Sequence, residues 1–494
     1  MTRRPDADGG QARARHSDTN GGGGTGGSTG WRPGESTGGR TGECTGWRTG
    51  GRSGTRGGTL AAAGLLALSL AALAVLCAVQ RYPMADLLVY RAEGAAVAGG
   101  RDLYGFTVTA WHLPATYPPF AALLFVPTVW LSPAVTKVAF LVGNALLLAL
   151  LVHLSLRLAE DVPYEGARDT HHGTPPEAEP STSPGSEPGA PPDAKPGVPR
   201  RTRRWSRTAV LLAVTAVALW LEPVFQTLVF GQINLLLVCL VLWDMGRPDG
   251  ARAKGLAVGV ASGIKLTPAV FAVHLLLTGR VRAGLTALAG FAGTVLAGAL
   301  VLPSASWEFF TRRVFETARV GKAWIVDNQS LQGLVARLAH TADPGLLWLL
   351  PAAAAAAGGL VLARHVHLRH GQPAWALMVS AFTALLVSPI SWSHHWVWCV
   401  PLLVLLAAER ARLGAGQGAV LALAAVFSAR TLWLVPKHGD GDLRLAWWLQ
   451  PFASPYALLT LGLLAAAAVR CYSVSLSGAA SGWAVSRSWE STMR

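Results

Sequence analysis

Apolar runs about as long as a bilayer-spanning helix recur from Leu60 to Val469, and this recurrence restricts the fold more than any other feature. About 20 apolar residues in helical form cross a hydrocarbon layer of roughly 30 Å, where every backbone N–H and C=O must find its partner inside the protein. With 51% hydrophobic and only 14% charged residues, the chain is too apolar for an ordinary soluble protein of 494 residues. The expected fold is all-α: a polytopic membrane protein of about ten to twelve transmembrane or re-entrant helices, with membrane lipids as its immediate surroundings. The net charge of +15 does not imply nucleic acid, because the arginines gather in linkers and between apolar runs, as topology signals do.

Two stretches fall outside this pattern. Residues 1 to 58 are rich in Gly, Arg, Ser and Thr and repeat Thr29-Gly30-Trp31-Arg32 as Thr45-Gly46-Trp47-Arg48, which reads as a disordered basic cytoplasmic tail. Residues 162 to 207 are dominated by Pro, Glu, Gly and Ser and end in Arg200, Arg201, Arg203, Arg204 and Arg207, a flexible cytoplasmic linker closed by a topology anchor. Between them lie N-terminal membrane helices, residues 59 to 161, with an external loop; residues 208 to 472 form the main helical body and 473 to 494 a cytoplasmic tail. Five scattered cysteines without CxxC spacing support neither a disulfide framework nor a metal cluster.

Charge bias orients the chain, since loops rich in Lys and Arg stay inside. Nine arginines in the tail hold the N-terminus inside, and residues 59 to 80 cross outward to deliver Asp86 to the outer face. Residues 224 to 245 read as one returning span, whereas Lys265 and Pro268 interrupt residues 255 to 278 and turn them into a broken hairpin. Residues 303 to 343 then form an outer loop. On this reading Asp86, Asn328, Gln329, His394 and His395 share the outer side and can line one cavity.

Each has an ordinary reading beside the functional one. Asp86 can take a proton from a sugar hydroxyl, or cap a helix and pair with Arg91. Glu93 and Asp102 read as solvated carboxylates. His394 and His395 can donate to a phosphate or a sugar hydroxyl, or hydrogen-bond at the interface, and Trp392, Trp396 and Trp398 read first as membrane anchors. Lys265, about ten residues inside an apolar run, needs an anionic or polar partner unless it snorkels. Gln232 and Asn234 read as interhelical hydrogen-bonding residues, Asn328 and Gln329 as sugar ligands or loop caps. Arg312, Arg313, Arg319 and Lys322 suit lipid phosphate or headgroups.

Taken in order, DLLVY with GGRDLYG, TYPPFAALLFVP, GQINLLL, GIKLTP, NQSLQG and SPISWSHHWVW resemble glycosyltransferase family 87, from about Asp86 to Pro401. These are polyprenol-phosphate-mannose-dependent α-1,2-mannosyltransferases of the GT-C superfamily. The resemblance implies a hexosyltransferase of the plasma membrane, multi-pass, with its active site on the extracytoplasmic face. It implies a polyprenyl-phosphate sugar donor, a glycolipid or lipoglycan acceptor, inversion at the anomeric carbon, and neither cofactor nor metal. Asp86 matches the general base after the first span; His394, His395, Arg91, Lys265, Asn328 and Gln329 are the expected ligands of donor phosphate or sugar. Transfer of another sugar, such as arabinose, is the neighbouring alternative. A multi-span transporter or flippase of a sugar or lipid is the rival class, though no inverted repeat is visible and acids within the apolar runs are few, notably Glu222 and Asp244 near run ends.

Overall fold

The computed structural model describes residues 52 to 160, 206 to 436 and 440 to 492, with side chains from 56 to 473; most of the expected N-terminal tail and of the expected linker lies outside these residues. The described chain is overwhelmingly helical. The first span is α1, Arg52–Gln80. A left-handed turn at Met84 (φ 52°) then starts α2, Ala85–Ala98. A short hairpin pairs β1, Thr107–Val108, with β2, Leu113–Pro114. Pro118-Pro119 starts α3, Pro119–Phe125, and Pro133 starts the long α4, Pro133–Glu160.

The main body opens with α5, Arg207–Ala218, capped by Ser206, and α6, Glu222–Phe230, bent 74° from it. The expected single span over 224 to 245 is broken: Gly231 (φ 70°) ends α6, and α7 runs separately over Asn234–Met245. The left-handed glycine is required because a Cβ there would lie 2.8 Å from the Leu87 Cβ, so α2 docks directly on this break.

Next come α8, Leu256–Ile264, α9, Ala269–Leu277, and α10, Val281–Val301. Gly255, Gly259 and Gly263, one helical turn apart, lie against Ala283, then Ala287 and Gly290, then Thr294, so α8 runs parallel to α10 with backbones in contact. Gly284 faces Ala272 and Leu276, so α9 runs antiparallel to α10, and 255 to 278 form the broken hairpin expected from Lys265 and Pro268. Asp244 makes the close return possible: its two carboxylate oxygens accept from the Gly255 N–H at 2.9 Å and the Val258 N–H at 3.1 Å, satisfying the buried start of α8.

The remainder comprises α11, Pro303–Thr311; α12, Leu331–Leu338, capped by Ser330; α13, Leu346–Leu368; α14, Pro373–Val387; α15, Cys399–Arg412; α16, Gly418–Ser428; the single turn α17, Gln450–Ala453; and α18, Pro455–Thr492. Among the described residues five helices are long and apolar enough to cross a membrane, six if the bent α5–α6 pair is one span, and four shorter apolar helices accompany them. Large apolar side chains such as Leu68, Leu146, Leu300 and Val361 point away from the protein, which suits a lipid-facing surface of a multi-pass membrane protein.

The glycine contact between α8 and α10 yields a stability test. Gly259→Leu drives a side chain into the Ala287 carbonyl and the Phe291 amide, and is expected to cost at least about 1–3 kcal/mol. Gly293→Leu on α10, where nothing lies within 4 Å, leaves the melting temperature in detergent nearly unchanged.

Candidate active site

A cavity of about 280 Å³ opens among the ends of α2, α6 and α8 and the segments that precede α12 and α15, lined by Asp86, Tyr117, Gln232, Lys265, Trp392 and His395. Asp86 stands in the first turn of α2, where the free N–H groups favour an anionic carboxylate. Gln232, brought up by the Gly231 turn, hydrogen-bonds Asp86. Its Oε1 accepts from the Tyr90 hydroxyl at 2.8 Å and the Tyr117 hydroxyl at 3.2 Å, which orients the amide with its N–H groups toward the carboxylate. Burial raises the Asp86 carboxyl to about 6, opposed by the Gln232 hydrogen bond and the Lys265 charge.

Lys265 reaches the cavity because α8 cannot continue through Leu266-Thr267-Pro268: the proline removes a donor and biases Thr267 away from helix. Its backbone leaves the helix extended (φ −148°, ψ 132°), and Nζ approaches Asn234 Oδ1 at 3.2 Å and His395 Nε2 at 2.9 Å. With an ammonium donor, His395 Nε2 accepts and the ring proton sits on Nδ1. Asn234 also donates from Nδ2 to the His394 carbonyl at 2.9 Å, joining α7 to the histidine turn. The Lys265 ammonium lies 5.8 Å from the centroid of the Tyr117 ring.

The histidines occupy a tight 3-10 turn, Ser393–Trp398, and face different ways. The His395 ring lines the cavity, whereas His394 is buried edge-to-face against Phe230, its Nε2 without a hydrogen-bond partner among the described residues. Trp396 and Trp398, expected at the membrane interface, are core residues instead: Trp396 packs on Phe382 and Tyr456, Trp398 on Phe271. The turn dips into the bundle rather than lying along its edge. Only Trp392 of the three lines the cavity.

The remaining sequence candidates stand elsewhere. Arg91 faces away from Asp86 and donates to the Thr128 carbonyl, the Leu131 carbonyl at 2.8 Å and Thr136 Oγ1 at 2.8 Å, tying α2 to the start of α4. Asn328 is fully buried: Nδ2 donates to the carbonyls of Ala323 (2.7 Å) and Pro389 (3.0 Å), and Oδ1 accepts from the Ser391 N–H at 2.8 Å. Gln329 donates to Val326 (2.7 Å) and Ala453 (2.8 Å) and accepts from the Tyr456 N–H at 3.1 Å. Both amides spend their capacity on backbone: Asn328 clamps its segment to Ser388–Trp392 and so sets the position of His395, while Gln329 ties the same segment to Ala453 and Tyr456. Glu93, expected in solvent, is fully buried, with Oε1 accepting from the Thr116 N–H at 3.3 Å, and burial raises its carboxyl to about 8. Arg313 pairs with Glu308 at 2.5 Å and Glu316 at 2.7 Å, and both Arg313 and Glu316 line the mouth of the cavity. Tyr90 and Tyr117 have no reading of their own in the sequence, and Gln232, expected only as an interhelical hydrogen-bonding residue, also lines the site; the polar interruption GQIN inside an apolar run is the signal that points to it.

This constellation offers, in one cavity, a carboxylate held ready to accept a proton and a Lys–His pair able to receive an anion. The Gly231 turn that supports it is open to test. Gly231→Ala places a methyl against Leu87 in a left-handed backbone costing about 1–2 kcal/mol, and is expected to lower turnover by more than its loss of stability accounts for, because α2 shifts from Gln232. Parallel melting and activity measurements check this.

Comparison with known proteins places the site in context. The family model described as "Glycosyltransferase family 87" matches residues 115–389, a stretch that includes Gln232 and Lys265 but neither Asp86 nor His395. A Mycobacterium tuberculosis protein named polyprenol-phosphate-mannose-dependent alpha-(1-2)-phosphatidylinositol mannoside mannosyltransferase is 33% identical over 391 residues, 77% of this chain and 84% of its own length. A Mycolicibacterium smegmatis protein of the same name is 33% identical over 75% of this chain and 80% of its own. Another from that organism, named for phosphatidylinositol pentamannoside, is 31% identical over 75% and 77% respectively. No solved structure matches the chain.

Proposed function

The chain belongs to glycosyltransferase family 87, and from that membership and the cavity we propose that it is a membrane mannosyltransferase, moving mannose from a polyprenyl-phosphate donor to a glycolipid or lipoglycan acceptor with inversion and an α-1,2 linkage. The observation that carries the reading is that Asp86, Lys265 and His395 line one cavity. A phosphate-linked sugar needs an anion receptor on one side and a base on the other, and these residues supply both.

The donor phosphate sits at Lys265 and His395, displacing the mutual contact of their nitrogens. From there a narrow slot of about 50 Å³, lined by Leu237, Val241, Phe271 and Leu385, leads between α7, α9 and α14 and suits the first carbons of the isoprenyl chain. The mannosyl ring occupies the larger cavity with Trp392 beside it, and the acceptor enters past Arg313 and Glu316. Asp86 accepts the proton of the acceptor hydroxyl as its oxygen bonds to C1, while the C1–O bond to phosphate breaks and its electron pair leaves on polyprenyl phosphate. Attack opposite the leaving group inverts the β-linked donor to an α-product. Lys265 stabilises the charge that grows on the departing phosphate. His394 is held behind His395, and Asn328 and Gln329 act through the backbone they clamp. Charge bias puts this face outside the plasma membrane, with the 1–58 tail, the 162–207 linker and the 473–494 segment inside.

The rival reading as a transporter predicts substrate movement without chemistry. Purified protein in lipid, given polyprenol-phosphate mannose and a mannoside acceptor, separates the two: new glycolipid product supports transfer, and donor translocation without product overturns it. Asp86→Asn is expected to lower turnover by about 10²–10⁴-fold with the fold intact. The wild-type kcat/KM should fall as pH drops below about 6, where the carboxylate becomes protonated and stops accepting a proton. Lys265→Gln should raise the KM for donor more than that for acceptor.

A further inference from the structure

One cluster of donors lies far from this cavity. At the opposite end of α13, about 34 Å along a helix of 23 residues, a nitrogen of His365, a nitrogen of His370 and the Cys471 sulfur come within 4.8 Å of one another. His365 belongs to the last turn of α13, and Cys471 to the middle of α18, which begins at Pro455 beside the Gln329 clamp. His370 lies beyond the helix end, where Gly371 (φ 61°) turns the chain so that the two imidazoles stand 5.2 Å apart.

From this convergence we propose a Zn²⁺ site formed by His365, His370 and Cys471 that fastens the end of α13 to α18. Two imidazoles and a thiolate form a nitrogen–sulfur donor set suited to zinc, and the absence of a carboxylate from the set disfavours magnesium or calcium. Zinc bonds of about 2.0–2.3 Å require tetrahedral donors roughly 3.3–3.8 Å apart. The donors therefore close by about 1 Å on binding, within reach of rotation of His370 in its turn. The fourth position is left to water. Nearby cations are directed elsewhere: Arg364 donates to the Leu277 carbonyl, and Arg470 lies 3.8 Å from Glu409. The cysteine loses its proton when the metal binds, so occupancy weakens as pH falls. Because α18 begins beside the Gln329 clamp, the ion ties its middle to the end of α13. It takes no part in sugar transfer.

The test uses the full chain without a polyhistidine tag, in lipid nanodiscs, stripped with chelator and titrated with Zn²⁺ or Co²⁺. Expected are about one metal per chain, a thiolate-to-cobalt charge-transfer band, and alkylation of Cys471, followed by peptide mass spectrometry, slowed by about tenfold or more when zinc is bound. Cys471→Ser should remove the band and His365→Ala should remove most of the binding, while His367→Ala, whose imidazole is outside the cluster, keeps both. Asp86→Asn should bind metal like the wild type, so the site stands apart from the transferase reading. Metal uptake unaffected by Cys471→Ser, or Cys471 alkylated equally fast with and without zinc, would overturn the proposal.

Discussion

Broken helices in an apolar bundle leave backbone groups that neither water nor lipid can satisfy, and the structure rests on how those groups are paired. The start of α8 is satisfied by Asp244, reaching from the end of α7. The extended segment before His395 is satisfied by Asn328, whose amide both donates to and accepts from it. Behind that clamp the fully buried Arg337 donates to the carbonyls of Trp324, Ile325 and Asn328 and to Ser454 Oγ. Losing any of these would strand buried polar groups at about 1–3 kcal/mol each, so the breaks persist only because distant side chains reach them.

That pairing separates two kinds of buried polar residue. Asn328, Gln329, Asp244 and Arg337 use their hydrogen-bonding capacity on backbone and are scaffold. Asp86, Gln232, Lys265 and His395 line the cavity and bond to side chains rather than to backbone, so a ligand can exchange for those contacts. The breaks serve both kinds at once: Gly231 brings Gln232 to α2, and Pro268 releases Lys265 from α8. Irregular backbone in a membrane protein is tolerated where it lines a cavity, and here the lining is the reacting surface of the proposed transferase.

Reading the residues in order recovers much of this. The apolar runs specify helices, and Lys265 with Pro268 marks the hairpin break that α8 and α9 show. The bend at 219–221 and the break at Gly231 are harder to read, because an isolated glycine in an apolar run is as compatible with close packing as with a turn; contact with Leu87, 144 positions away, decides it. The tryptophans of the histidine turn mislead for a similar reason. An indole near a span end suits the lipid interface, yet the clamp by Asn328 draws Trp396 and Trp398 into the core.

By itself the sequence determined the solvent, the helical class, the break at Lys265 and Pro268 and the types of residue available there, because polarity and backbone preference are local properties. The direction in which each polar side chain points was settled only by tertiary packing. Asp86 and Arg91 share one helix but face a cavity and a neighbouring loop respectively, and His394 and His395 are adjacent yet only one lines the site. The difference arises because each side chain takes the partner that long-range contacts bring within about 3 Å, and no local pattern encodes that choice.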